Sequence, residues 1–214
     1  MRVIDFILHF DKHLLEFVST YGTWVYGILF AIVFAETGLV IMPFLPGDSL
    51  LFATGALAAR GVLNPWLAGG LLLAASILGD GVNYAVGKYI GPKAFVATDS
   101  STLVSRLMNR DHLQRAHDFF ERYGGKAVVL GRFVPIVRTF VPFVAGAGSM
   151  NYGTFVFYNV TGGILWVGLC MGAGLLFGNI PVVRENFSLI TLGIVAVSVL
   201  PVVVEFIRQR RLGR

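Results

Sequence analysis

Residues 24–48 read WVYGILFAIVFAETGLVIMPFLPGD, and this stretch decides the fold class. Residues 24–42 form an apolar run whose only charge is Glu36, and a helix that crosses a hydrocarbon core needs about 20 such residues. Residues 43–48 then contain two prolines and a glycine, which remove amide donors and loosen the backbone. The stretch predicts a membrane helix followed by an irregular segment, with carboxylates in apolar surroundings.

The composition of the whole chain agrees with a membrane domain. Of its 214 residues, 56% are hydrophobic and only 14% are charged, whereas a soluble domain carries about 25% charged residues. The net charge of +5 comes from basic residues beside the hydrophobic segments, which is typical of membrane flanks and argues against a nucleic-acid partner. Because Cys170 is the only cysteine and no Cys/His cluster has zinc spacing, we expect no disulfide within the chain, no metal and no cofactor.

The apolar segments predict an all-α integral membrane protein with about four transmembrane helices and two re-entrant hairpins. The predicted spans are 24–42, 65–90, 152–178 and 187–207. A short apolar segment beside a Pro/Gly break is better explained by a hairpin than by a crossing, and residues 43–59 and 127–150 both have this character. The residues predicted to shape the two hairpins are Pro43, Pro46, Gly47, Pro135, Pro142 and Gly146.

Basic residues predict the orientation and the domain organisation. The positive-inside rule places the basic loop and the basic tail in the cytoplasm, and the N-terminus then follows on the same side. The two hairpins must open to opposite faces, which is the pattern of inverted-repeat transporters. In chain order we predict an amphipathic surface helix (1–22), a single membrane domain (23–207) with a first half (23–91), a cytoplasmic loop and surface helix (92–126) and a second half (127–207), and a basic tail (208–214).

Four charges in apolar segments are the candidate functional residues: Glu36, Asp48, Arg132 and Arg138. An uncompensated charge at the bilayer centre costs roughly 2.5–3.5 kcal/mol. We therefore expect the two acids to pair with the two arginines. One interpretation is that these are structural ion pairs that clamp the hairpins together.

The other interpretation is that the charges move a substrate. Arginine binds phosphate bidentately and stays charged at any working pH, so Arg132 and Arg138 could bind an anion. Because burial disfavours an ionised carboxyl, Glu36 and Asp48 could exchange protons and so release or recapture the arginines. Asp80 could be a third proton-exchanging group, although it is expected near a helix end where water reaches it. No catalytic residue is predicted.

Several strings of the chain resemble the DedA family, which is also described through its VTT (SNARE-associated) domain. The resemblance covers roughly residues 20–207. The matching strings are Glu36-Thr37-Gly38, Pro43-Phe44-Leu45-Pro46-Gly47-Asp48-Ser49, Gly79-Asp80-Gly81-Val82-Asn83-Tyr84, Gly131-Arg132-Phe133-Val134-Pro135-Ile136-Val137-Arg138 and Ala145-Gly146-Ala147-Gly148-Ser149-Met150. The resemblance implies a multi-pass protein of the bacterial inner membrane with two opposed hairpins. It also implies that Glu36, Asp48, Arg132 and Arg138 are functionally required.

The function implied by the resemblance is flipping of a carrier lipid, undecaprenyl phosphate, driven by the proton motive force. The expected partners are this polyprenyl phosphate as substrate and protons as coupling ions, with a homo-oligomer left open. A broader phospholipid scramblase, a small-ion/proton antiporter and a non-transporting assembly scaffold are alternatives. A membrane phosphatase is disfavoured because no histidine lies in a predicted span, so we expect no enzyme activity.

Overall fold

The computed structural model describes residues 20–39, 47–96, 110–181 and 193, and within them every regular element is an α-helix. The helices are α1 (Trp24–Gly38), α2 (Gly47–Ala59), α3 (Pro65–Val96), α4 (Arg110–Tyr123), α5 (Lys126–Gly131), α6 (Pro135–Ala147) and α7 (Tyr152–Phe177). The all-α prediction is confirmed for these parts of the chain. Several predictions fall on residues that the structure does not describe: the surface helix 1–22 except residues 20–22, the span 187–207 except residue 193, the tail 208–214, Pro43 and Pro46. These stay predictions.

Two of the predicted spans are present as long apolar helices. The segments Pro65–Gly91 of α3 and Tyr152–Phe177 of α7 are long and apolar enough to cross a membrane. Each begins at an asparagine cap: the Oδ1 atom of Asn64 accepts the amide of Trp66 at 3.0 Å, and that of Asn151 accepts the amide of Gly153 at 2.9 Å. Such caps satisfy amides that have no partner within the first helical turn.

The predicted span 24–42 is wrong in its length. Helix α1 has 15 residues and ends at Gly38, so it is about 22 Å long at 1.5 Å per residue, which is shorter than a hydrocarbon core of about 30 Å. Leu39 is no longer helical. At this end Gly38 packs on α3, where an added Cβ atom would be 3.3 Å from the Cα atom of Gly79.

The irregular segment predicted over residues 43–48 ends before Gly47, two residues earlier than expected. Gly47 and Asp48 belong to α2, a helix of 13 residues with Asp48 in its first turn. An acid in the first turn is favoured there because the helix dipole places positive partial charge at the N-terminus. At 13 residues α2 is too short to cross a membrane, as the sequence predicted for residues 49–59.

The predicted break within residues 127–150 is confirmed. Helix α5 ends at Gly131 and α6 begins at Pro135, with Val134 extended (φ −114°, ψ 107°) between them. Proline suits the first helical position because it lacks an amide hydrogen. Pro142, in contrast, lies inside α6 without ending it. Whether either broken segment enters and leaves the membrane on the same face stays a prediction.

The surface helix predicted in the polar loop corresponds to α4. It ends before Gly124, whose φ of +53° is the left-handed conformation that glycine adopts at helix ends. Phe119 and Phe120 of α4 pack against a hydrophobic core that includes Phe143 of α6. The apolar face of α4 is therefore buried against α6, as the helical spacing of its apolar residues predicts.

The chain forms two compact units. Among the described residues, the first contains 20–32, 47–72, 167–181 and 193, and the second contains 33–39, 73–96 and 110–166. In the first unit α2 packs directly on α7, since a Cβ atom at Gly55 would overlap the backbone of Met171, and one at Gly174 would overlap the backbone of Phe52. The second unit holds the core around Tyr84, Phe143 and Phe155.

Helices α3 and α6 touch backbone to backbone in the second unit. A Cβ atom at Gly87 would overlap the carbonyl of Phe143, and one at Gly146 would overlap the carbonyl of Tyr84. Glycines allow this approach because they have no side chain. Helices in a membrane commonly associate through such close packing. Gly146, predicted to shape a hairpin, lies in a helix and at this contact.

This contact predicts that Gly87→Ala destabilises the protein. The added methyl group meets a backbone carbonyl that no rotamer change can move, and overpacking of this kind costs about 1–3 kcal/mol. Gly81→Ala is the matched control, since a Cβ atom there has no neighbour within 4 Å; it should be neutral or stabilise by up to about 1 kcal/mol. Thermal unfolding in detergent measures both variants, and equal midpoints would contradict the α3–α6 contact.

Candidate functional site

Four charged side chains from four segments lie buried in the second unit. Glu36 is on α1, Asp80 on α3, Arg132 in the break before α6, and Arg138 on α6. Glu36, Asp80 and Arg132 expose 2%, 3% and 5% of their surfaces, and the Arg138 side chain exposes 11%. Ions this deeply buried need partners, because desolvating a charge costs several kcal/mol.

Arg132 is held by two acceptors. Its Nη2 atom lies 2.5 Å from Asp80 Oδ2 and 2.6 Å from Asn159 Oδ1. Asn159 in turn donates from Nδ2 to the carbonyl of Ile77 at 3.0 Å. Because the amide nitrogen is committed to Ile77, the amide oxygen faces the guanidinium.

Arg138 forms the second ion pair, with its Nη2 atom 3.0 Å from Glu36 Oε1. Asn83 of α3 fixes the two helices that carry this pair. Its Nδ2 atom donates to the carbonyl of Thr37 at 3.2 Å and to the carbonyl of Thr139 at 2.7 Å. Since these carbonyls belong to the residues directly after Glu36 and Arg138, Asn83 sets the register between the two charged positions.

A tryptophan of α7 contacts both arginines. The Cζ atom of Arg138 lies 4.6 Å from the centroid of the Trp166 ring, and that of Arg132 lies 5.9 Å away. Guanidinium groups within about 6 Å of an indole face are attracted by its quadrupole. Both ion pairs therefore meet at one buried aromatic ring.

Comparison with known proteins assigns the chain to a family. The model of the VTT domain matches residues 45–176. Protein DedA of Escherichia coli (strain K12) is 53% identical over 211 residues, which cover 98% of this chain and 94% of that protein. The chain belongs to the DedA family.

Two further relatives of this DedA family member are membrane proteins by name. Inner membrane protein YqjA of Escherichia coli (strain K12) is 39% identical over 158 residues, which cover 74% of this chain and 70% of YqjA. An uncharacterized membrane protein of Mycobacterium tuberculosis (strain H37Rv) is 41% identical over 203 residues, which cover 92% of this chain and 85% of that protein. No solved structure matches the chain. Together with the two long apolar helices, these relatives show that the chain is a DedA family membrane protein.

The structure corrects the expected position of Asp80. The sequence predicts it near a helix end and within reach of water, whereas it is 3% exposed in the middle of α3. Helix α3 continues beyond Asp80 to Val96, so the carboxylate is far from both helix ends. Asp80, the acid that the sequence-based pairing left out, is the one that contacts Arg132.

Asp48 is the remaining acid among the four charges singled out in the sequence. It occupies the first turn of α2, is partly buried, and belongs to the first unit. Its predicted role in proton exchange stays a prediction, as do the roles of Glu36, Asp80, Arg132 and Arg138.

Two contacts of the site are not evident from the sequence: that of Trp166 with both arginines and that of Asn159 with Arg132. A signal nevertheless exists: an asparagine and a tryptophan stand seven residues apart in an apolar helix, so they share one face. That pattern alone does not separate a packing face from a charge-binding face. Among the residues that the structure describes, no three His, Cys, Asp or Glu side chains are grouped as metal ligands.

The Asp80–Arg132 pair predicts a non-additive pattern of stability. Asp80→Leu and Arg132→Met should each lower the free energy of unfolding by about 3–5 kcal/mol, because each leaves a buried charge without its partner. The double variant should lose much less than the sum, since it removes both charges.

Denaturant unfolding in detergent measures all three variants. Glu121→Leu, which removes an exposed carboxylate on α4, is the control and should change stability by less than about 0.5 kcal/mol. Additive losses in the double variant would show that the two side chains are not coupled.

Proposed function

We propose that this DedA family protein is a proton-motive-force-dependent transporter that flips a polyprenyl phosphate, undecaprenyl phosphate, across the bacterial inner membrane for recycling. One observation carries the proposal: two buried acid–arginine pairs, Glu36–Arg138 and Asp80–Arg132, meet at Trp166. Ionisable residues within membrane segments usually mark substrate or proton pathways, because their cost disfavours them elsewhere.

The two arginines supply the chemistry that a lipid phosphate requires. A guanidinium presents a planar fork of donors that matches the oxygens of a phosphate and is more weakly hydrated than an ammonium group. Two of them would share one phosphate while the polyprenyl tail stays in lipid. Release from the carboxylates would make the whole of each guanidinium available to the phosphate, because the Nη2 atoms now contact Asp80 and Glu36.

In this mechanism, proton binding and release control whether the arginines contact the carboxylates or the phosphate. A proton that binds to Glu36 removes the charge that holds Arg138, so the guanidinium becomes available to the phosphate. Loss of that proton restores the ion pair and expels the lipid. Asp48 and Asp80 are the other acids proposed to exchange protons, and the cycle couples proton entry to movement of one lipid headgroup.

The membrane setting that we propose has both termini in the cytoplasm and the two broken segments entering from opposite faces. The short helices α2 and α6, of 13 residues each, and the break at residues 132–134 support such hairpins. The name of YqjA, an inner membrane protein, supports the location.

A structural role for the ion pairs is the second candidate, favoured by their depth of burial. Breaking a buried pair is costly whatever its purpose, so a non-transporting scaffold would also keep Glu36 and Arg138 together. The two candidates differ in what happens when Glu36 is neutralised but the fold survives. A scaffold tolerates that change, whereas a proton-coupled transporter does not.

Transport by reconstituted protein tests the proposal. The purified protein is placed in liposomes that contain polyprenyl phosphate, a pH gradient is imposed, and the fraction of phosphate headgroups accessible from outside is followed over time. Arg138→Ala should slow flipping by about 10–100-fold, since a hydrogen-bonded charge contributes about 1.5–3 kcal/mol. Glu36→Gln should abolish the dependence on the gradient together with net flipping.

Matched controls separate these effects from a general loss of charge. Glu121→Gln and Arg122→Ala make the same chemical changes on the exposed side of α4 and should flip at the wild-type rate. Flipping that ignores the gradient would favour a scramblase, and loss of phosphate from the lipid would favour a phosphatase. No flipping by folded wild-type protein would reject the carrier-lipid proposal.

A further inference from the structure

One face of α7 contacts the arginines without carrying any charge. Asn159, Gly162 and Trp166 are spaced three and four residues apart, so they lie on the same side of the helix. Asn159 Oδ1 is 2.6 Å from Arg132 Nη2, and the ring of Trp166 lies beneath both guanidiniums. Gly162 packs on the stem of Arg132, where an added Cβ atom would be 3.1 Å from Cδ and 3.2 Å from Nε.

These contacts do not depend on the charge of the acids. An amide, a glycine and an indole remain neutral at any working pH, so they hold a guanidinium equally well beside a carboxylate or beside a protonated carboxyl. Asn159 and Trp166 each expose only 1% of their surface. Cation–π attraction is strongest in such desolvated positions.

We propose that Asn159, Gly162 and Trp166 form a neutral guanidinium cradle that keeps Arg132 and Arg138 in place when they are released from Asp80 and Glu36. A guanidinium that leaves its carboxylate in an apolar interior loses the ionic part of the compensation for its desolvation. The cradle lowers that cost, and it keeps the two forks beside each other for one phosphate. The three residues are positioning residues, and their part in transport rests on the proposed function.

The fluorescence of Trp166 reports whether the two guanidiniums remain beside its ring. The chain has three tryptophans, and the other two, Trp24 and Trp66, are 76% and 88% exposed. Replacing both with phenylalanine leaves Trp166 as the single tryptophan of the full-length protein, and its emission is excited at wavelengths that tyrosine does not absorb. Its emission in detergent is then compared between this background and variants of the ion pair, with no lipid substrate present.

The fluorescence test has a clear expected result. Arg138→Met should change the emission of Trp166, because the cation 4.6 Å from the ring is removed. Glu36→Gln should leave the emission as in the background, because the cradle holds the guanidinium after its carboxylate is neutralised. An equal change in both variants would overturn the proposal, and so would an unchanged emission in Arg138→Met.

Gly162→Ala provides an independent variant that retains every charge. Its methyl group presses on the stem of Arg132, whereas Gly168→Ala adds the same methyl group to α7 with no neighbour within 4 Å. We expect the Trp166 emission to change in Gly162→Ala only. If the emission of the two variants is the same, Gly162 does not position Arg132 and the cradle is rejected.

The role of the cradle in transport is tested in the liposomes with polyprenyl phosphate. Trp166→Leu should raise the lipid concentration for half-maximal flipping about tenfold, and Trp166→Phe should recover most of that loss by restoring an aromatic face. Trp66→Leu is the matched control and should behave as wild type. If Trp166→Leu has the same half-maximal lipid concentration as wild type, the cradle proposal is overturned. If wild type itself does not flip the lipid, only the proposed function is rejected, and the fluorescence result then decides the cradle.

Discussion

The need to neutralise charges in an apolar interior governs the arrangement of the second unit. Two carboxylates and two guanidiniums are buried together, and each contact pairs one sign with the other: Asp80 with Arg132 and Glu36 with Arg138. Since any one of them alone would carry a desolvation cost of several kcal/mol, no member can be removed without consequence for its partner. In the proposed mechanism a proton or an anion changes which of these pairings is favourable.

Helix α3 is the element that brings these charges together. Gly79 allows α1 to approach, since a Cβ atom there would overlap the side chain of Thr37, and Gly87 allows α6 to approach at the carbonyl of Phe143. Between these glycines lie Asp80, which holds Arg132, and Asn83, which joins the backbones beside Glu36 and Arg138. Close packing and charge pairing are therefore properties of one helix face. The uncharged face of α7 completes the site from another side with Asn159 and Trp166.

Local sequence predicted the helices well and the charge partners poorly. The break before Pro135, the surface helix that ends at Gly124 and the long apolar helices α3 and α7 all follow from proline, glycine and hydropathy, which act through neighbouring residues. The end of α1 at Gly38 and the start of α2 at Gly47 differ from the prediction because an apolar run indicates burial but does not say where a helix stops. The partner of Arg132 could not be chosen from sequence, since Asp48 and Asp80 are both acids in apolar segments and only the packing of α3 decides between them.

By itself, the sequence determined that this is an all-helical membrane protein of the DedA family and that Glu36, Arg132 and Arg138 are charges in apolar surroundings. Composition, hydropathy and motif strings carry that information because each depends on residue type and spacing along the chain. Only the tertiary structure decided that Asp80 is buried against Arg132, that Asn83 sets the register of the Glu36–Arg138 pair, and that one tryptophan serves both arginines. These are contacts between residues 28 to 102 positions apart, and such contacts depend on how helices cross, which no local pattern specifies.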